Sequence, residues 1–199
     1  VGTEYTVEEL VFILNKYRSF FSNSEGGVTF SGGEATAQGE FLYECCKSLK
    51  GVHRCLDTSG FCDIDLFKKI LSEIDLVYFD LKLADSVLHK KYTGKSNDLI
   101  LENLRTVCKL KKNYNIRIPL IPGITDTEEN FKGVRNILLG LDFRPQSIDL
   151  LPYNSLAGAK YEQYGMKYPL KNGFTKNNME HIKNFMNYMK YEDFRVDLY

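Results

Sequence analysis

The sequence predicts an α/β fold built on a parallel sheet, and three observations carry that expectation. Short apolar runs of strand length alternate with stretches whose apolar residues recur at helical spacing. Glycine, proline, asparagine or aspartate punctuates the junctions between them. The strand-like runs are nearly continuous in apolar residues, as expected of a parallel sheet covered by helices.

The elements follow in order. Thr6-Val7-Glu8-Glu9 offers a capping box, and Leu10, Val11, Leu14 and Tyr17 follow at helical spacing. Val28-Thr29-Phe30 is a short β-prone run ending in Ser31-Gly32-Gly33-Glu34. A helix is expected over residues 39–49, stopped at Gly51. Residues 53–56 are extended and run into Asp57-Thr58-Ser59-Gly60, with a helix from about residue 65 to residue 74 behind them. Leu76-Val77-Tyr78-Phe79 is the next strand and leads to Asp80-Leu81-Lys82. Helical stretches near residues 86–92 and 99–110 precede a strand over residues 116–121, which runs into Pro122-Gly123. Asp126 and Glu129 signal the start of a helix reaching Leu139. Residues 147–151 form a strand ending at Pro152-Tyr153-Asn154. A tyrosine-rich loop, a helix over about residues 176–189 and a last short strand over residues 194–198 complete the chain. Five strands fit the repeat before the terminal one, and right-handed crossovers would curl them into a barrel or an open doubly wound sheet. No linker rich in Pro, Gly or Ser interrupts the pattern, so residues 1–199 read as one domain.

Composition narrows the function. Twenty-six basic residues balance twenty-six acidic ones, so no global field favours nucleic acid or an anionic membrane. No apolar run approaches the ~20 residues needed to span a bilayer. Val1-Gly2-Thr3-Glu4-Tyr5 carries no signal-peptide pattern, and a cytoplasmic location is expected. Cys45, Cys46, Cys55, Cys62 and Cys108 contain no CxxC pair and leave an odd thiol, which points to reduced, partly buried cysteines.

The polar residues gather at one topological position. Ser31–Glu34, Asp57–Ser59, Asp80 with Lys82, and Tyr153-Asn154 each follow the C-terminal end of a strand. In a parallel α/β architecture those ends share one rim, where ligand sites form. Gly32-Gly33 offers a backbone that a ligand can approach closely, or a simple turn. Glu34 can accept from an ammonium group or organise its loop, and Asp57 and Thr58 can serve the rim or cap the next helix. Asp80 and Lys82 share one side of an extended segment, as a structural ion pair or as a grip on a zwitterion. Arg117 interrupts an apolar strand and needs an anionic partner if it points inward.

Taken together, Thr29–Ala35, Cys55–Phe61, Val77–Lys82, Ile121–Gly123 and Leu150–Tyr153 resemble the radical S-adenosylmethionine (SAM) enzymes that activate glycyl-radical enzymes, the pyruvate formate-lyase activating type among them. The resemblance runs from about Glu4 to the C-terminus and implies a partial (β/α)6 barrel lacking its first strand. In that family a 4Fe-4S cluster on a CxxxCxxC loop reduces SAM, and the 5′-deoxyadenosyl radical removes hydrogen from a glycine of the partner enzyme. Flavodoxin or ferredoxin is the implied electron donor. By match to the motifs, Gly32, Gly33 and Glu34 would bind the methionine ammonium end; Asp80, Leu81 and Lys82 would contact SAM, with Lys82 on its carboxylate. Asp57, Thr58 and Asp80 match positions that hold a monovalent cation. Asn154 stands where the pyruvate formate-lyase type has a histidine. The CxxxCxxC motif is absent from this sequence, which therefore reads as a piece of a longer enzyme, expected by itself to bind no cluster and to leave SAM uncleaved.

Two other readings remain at this stage. A TIM-like lyase or aldolase would use Lys82 as a Schiff-base nucleophile, although Asp80 nearby favours the charged amine. A noncatalytic interaction domain would use the tyrosine-rich residues 153–168 as its surface.

Overall fold

The computed structural model describes residues 2–153, 165 and 176–199. Its frame is a six-stranded, all-parallel sheet in sequential order. The strands are β1 (Gly27–Phe30), β2 (His53–Thr58), β3 (Leu76–Asp80), β4 (Asn113–Leu120), β5 (Ile148–Pro152) and β6 (Val196–Leu198). Helices α3 (Gly39–Ser48), α4 (Ile64–Leu71), α6 (Asp98–Lys109) and α7 (Glu128–Leu139) occupy the successive crossovers, with α5 (Ser86–Thr93) added after β3. Helices α1 (Val7–Asn15) and α2 (Arg18–Ser24) precede the sheet, and α8 (Met179–Tyr191) precedes β6. The terminal strand joins as a sixth parallel member. Among the described residues β1 and β6 are the two edges, and the sheet does not close on itself.

The two faces of the sheet differ. One face is apolar: Leu56, Val77, Phe79, Ile116, Ile118, Leu120, Ile148, Leu150 and Val196 pack against the helices in a single core. The alternate residues, among them Asp57, Tyr78, Asp80, Asn115 and Arg117, take the other face and are only partly buried. Tyr78 hid this period-two pattern in the sequence, because its ring reads as apolar while it lies on the polar side.

Local signals account for most boundaries. The capping box of α1 is present, with the Thr6 hydroxyl accepting from Glu9 N–H and the Glu9 carboxylate accepting from Thr6 N–H. Asp63 caps α4, so neither Asp57 nor Thr58 does. The expected start of α7 at Asp126 is also corrected. Thr127 is its N-cap, and Asp126 instead accepts from the N–H of Gly123 and, on its other oxygen, from Asn177 and Asn178 ahead of α8.

Candidate functional site: a cleft at the strand ends

The rim loops are held from behind by buried asparagines. Asn103 of α6 donates to the carbonyls of Gly60 and Cys62 at 2.9 and 2.7 Å, fixing the loop after β2. Asn130 of α7 donates to the Lys82 carbonyl at 3.1 Å and accepts from Ala84 N–H at 2.9 Å. Asn97 donates to the carbonyls of Leu83 and Ala84 at 3.0 and 2.9 Å. Each satisfies main-chain groups that a turn would otherwise leave unpaired inside the protein. Gly60 is required where it stands. Its φ is +75°, and a Cβ there would strike the ring of Phe79.

These loops converge on one cleft of about 230 Å³. Its lining brings Gly32, Gly33 and Glu34 together with Asp57, Thr58 and Ser59, and with Asp80, Lys82 and Arg117. Gly32 has φ +125°, and a Cβ on either Gly32 or Gly33 would project into open space. The backbone there presents its polar groups to a ligand without side-chain obstruction. Leu81 alternates to the other side and is buried in the core, so only its main chain is near the rim. Asn154 lies outside the described residues.

Both carboxylate oxygens of Glu34 accept hydrogen bonds from neighbouring loops. One oxygen accepts from Thr36 N–H, the Thr36 hydroxyl and the Thr58 hydroxyl at 3.2, 2.8 and 2.6 Å. The other accepts from Ser59 N–H at 2.9 Å and from the Ser59 hydroxyl at 2.6 Å. The carboxylate therefore clamps the glycine loop onto the loop after β2. Burial acts to raise its pKa, and the bonds from Ser59, Thr58 and Thr36 together outweigh that, so it lies below the ordinary value. Thr58 faces Glu34 rather than Asp57, as alternation along β2 requires.

The remaining charges form an ordered row. The Lys82 ammonium lies 2.9 Å from Asp80, and the Arg117 guanidinium 2.7 Å from Asp57. Register places Arg117 beside Asp80 on one neighbouring strand and beside Asp149 on the other. Burial would lower the Arg117 pKa, but hydrogen bonding and attraction from Asp57, with Asp80 and Asp149, hold it above the ordinary arginine value. Its guanidinium also lies 5.4 Å from the Tyr78 ring centroid. Arg117 thus takes the inward alternative, and sequence reasoning had not counted it among the site residues. Ser31, which donates to Asp57 at 3.0 Å, and Ser59 were likewise passed over, although both sit in the motif segments.

Residues 1–132 match the family described as the Radical SAM superfamily. The chain belongs to that superfamily. Within it, this radical SAM chain is 41% identical over 172 residues to the trans-4-hydroxy-L-proline dehydratase activating enzyme of Clostridioides difficile, covering 84% of the chain and 57% of that enzyme. It is 38% identical over 177 residues to the pyruvate formate-lyase-activating enzyme of Staphylococcus epidermidis, covering 85% and 70% respectively. A crystal structure of a domain of pyruvate-formate lyase-activating enzyme from Bacteroides vulgatus superposes with a TM-score of 0.70 at 30% identity, covering 87% of this chain and 99% of that one. The chain is therefore a member of the activating-enzyme family, and it spans a little over half the length of relatives such as the Clostridioides enzyme.

The residues present fit one of the family's groups and not the other. The glycine backbone, Lys82 and Arg117 as cations, and Asp57 and Asp80 as anions suit the amino-acid portion of SAM. The cysteines do not suit an iron–sulfur cluster. Burial pushes Cys45 and Cys55 up to about 11 and Cys46 to about 12, all five are buried free thiols, and no group of three or more His, Cys, Asp or Glu among the described residues could hold a metal ion. In this structure the Thr58 hydroxyl donates to Glu34, Asp57 pairs with Arg117 and Asp80 with Lys82.

Proposed function

We propose that this chain is the SAM-holding part of a radical SAM enzyme that activates a glycyl-radical partner, with residues 1–199 acting as one domain. The observation that carries the reading is the convergence of three motif loops with the Asp80–Lys82 and Asp57–Arg117 pairs in one cleft. SAM, bound with a reduced 4Fe-4S cluster, supplies the radical that takes hydrogen from a glycine Cα. This chain's own residues bind and orient. The Gly32-Gly33 main chain would receive the ammonium group, and Lys82 would turn from Asp80 to the carboxylate. Arg117 offers a second cation close by, while Glu34 keeps the glycine loop in place beside the ammonium end. If a monovalent cation sits beside that carboxylate, Asp57 and Asp80 supply hard oxygens, and Thr58 contributes through its carbonyl rather than its hydroxyl. Reductant from flavodoxin or ferredoxin and an anaerobic cytoplasm belong to the same reading.

Radical transfer tests it. In the longer enzyme carrying this sequence, reconstituted with iron and sulfide and mixed anaerobically with reductant, SAM and a glycyl-radical enzyme, a glycyl-radical signal is expected by electron paramagnetic resonance. Gly33→Val and Lys82→Ala should abolish it. An undiminished signal in both variants would contradict the assignment. The 199-residue chain alone is expected to take up no stoichiometric iron and sulfide under the same treatment.

The lyase reading needs a Lys82 side chain directed at a substrate carbonyl, whereas here it is engaged by Asp80 at 2.9 Å. The tyrosine-rich surface lies mostly outside the described residues.

A further inference from the structure

Lys82 stands two residues past the end of β3, where the sheet ladder no longer fixes the chain. The last main-chain bond from this segment to β4, among the described residues, runs from Leu81 N–H to the Arg117 carbonyl at 2.9 Å. Beyond it, side chains replace the ladder. Asn130 donates to the carbonyl of Lys82, and Asn97 to those of Leu83 and Ala84. Asn130 holds the same segment a second time, because its Oδ1 accepts from Ala84 N–H at 2.9 Å. Its amide also donates to the Thr125 carbonyl at 2.9 Å, in the loop after β4. Asn130 is 6% exposed, and both amide hydrogens and the amide oxygen are used.

One turn along α7, Gly133 meets the same segment. A Cβ at Gly133 would lie 2.5 Å from the Ala84 Cβ, closer than two carbon atoms approach in proteins. Glycine weakens a helix interior relative to alanine, and Gly133 occupies the middle of α7. The close approach gives the glycine a reason: the helix rests on Ala84 with no side chain between them. Two consecutive turns of a single rigid helix therefore bear on residues 82–84, one through an amide and one through bare backbone.

This arrangement matters for Lys82 in particular. Its four-carbon stem is flexible, so its ammonium group is delivered to a defined point only where the main chain beneath it is fixed. The Asn130 side chain is the hydrogen-bond partner of the Lys82 carbonyl among the described residues.

We propose that Asn130 and Gly133 are positioning residues for SAM, and that through them α7 sets the place from which Lys82 reaches the cofactor carboxylate. The inference rests on the SAM-holding reading of the cleft. It adds to that reading two residues that do not line the cleft and act through one that does.

The test titrates the 199-residue chain with SAM and with its decarboxylated analogue by calorimetry. Asn130→Ala should weaken SAM binding about tenfold and Gly133→Ala about fivefold, with the analogue changed less than about twofold in either variant. A general loosening of the fold would weaken both compounds alike. Moving the methyl group across the contact, Gly133→Ala with Ala84→Gly, should bring SAM affinity back to within about twofold of the unsubstituted chain. In a Lys82→Ala background neither Asn130→Ala nor Gly133→Ala should weaken SAM by more than about twofold further, because the residue they act through is gone. Equal losses for the two compounds, losses that add in the Lys82→Ala background, no recovery in the exchanged pair, or unchanged SAM affinity in Gly133→Ala would each overturn the inference. Should Asn130→Ala fail to fold, the Gly133 and Ala84 substitutions decide alone. A chain that binds no SAM before any substitution would sink the SAM-holding reading itself, and the inference with it.

Discussion

The two faces of the sheet have opposite chemistry although they share the same backbone. On the helix side, Leu56, Val77, Phe79, Ile116, Ile118 and Ile148 are fully enclosed, and their removal from water drives folding. On the cleft side, the alternate positions carry Asp57, Tyr78, Asp80, Asn115 and Arg117, only partly buried, with Asp57 paired to Arg117 and Asp80 to Lys82. Stability and function are thus separated by side-chain parity. A one-residue slip in any strand would exchange them.

Substitutions on the two faces should therefore be read out differently. The largest effect is expected from Phe79→Ala, which removes a fully buried ring packed against Gly60. It should cost about 3–5 kcal/mol in urea unfolding, and because Gly60 leads the loop after β2, the cleft should loosen with it. Lys82→Ala lies across the sheet plane and should leave the unfolding midpoint nearly unchanged. SAM binding measured by calorimetry should fall roughly 10- to 100-fold, the worth of one charge-assisted bond. A Lys82→Ala variant that unfolds readily yet binds SAM normally would erase the proposed division.

Glu34→Gln bridges the two classes, because Glu34 organises the site through structure. The loss should be about 1–2 kcal/mol at neutral pH in this solvent-facing cleft. The folded carboxyl lies below its ordinary 4.5, so its contribution is complete above that pH and disappears as pH falls through the folded value. Unfolding curves of the two proteins should accordingly draw together as pH falls through the folded value, and a gap that persists unchanged into strong acid would count against a charged clamp. The smallest effect is expected for Arg117→Lys. The ion pair with Asp57 can persist, but the planar fork and its contact with Tyr78 are lost, a change of about 1 kcal/mol or less in stability.

The legibility of these features follows their range in the chain. Local signals read well: the capping box at Thr6 and Glu9 is formed, and Asp80 with Lys82 shares a side because strands have period two. The strand-end clustering of motif loops could be foreseen because parallel topology leaves few alternatives. Features set by distant partners were hidden. Arg117 gave no hint of Asp57 until register placed β2, β3 and β4 side by side. Asp126 resembled a helix start, yet its carboxylate is taken by Asn177 and Asn178 from the far side of the chain. Helix α2 had no capping signal to announce it, since Tyr17 gives no side-chain cap.

Calorimetric titration of the chain with SAM and with its decarboxylated analogue puts the cleft itself to trial. The account predicts one molecule of SAM per chain and at least a roughly tenfold weaker analogue, because Lys82 and Arg117 lose the carboxylate they are placed to meet. Equal affinity for the two compounds, or no binding of either, would contradict it.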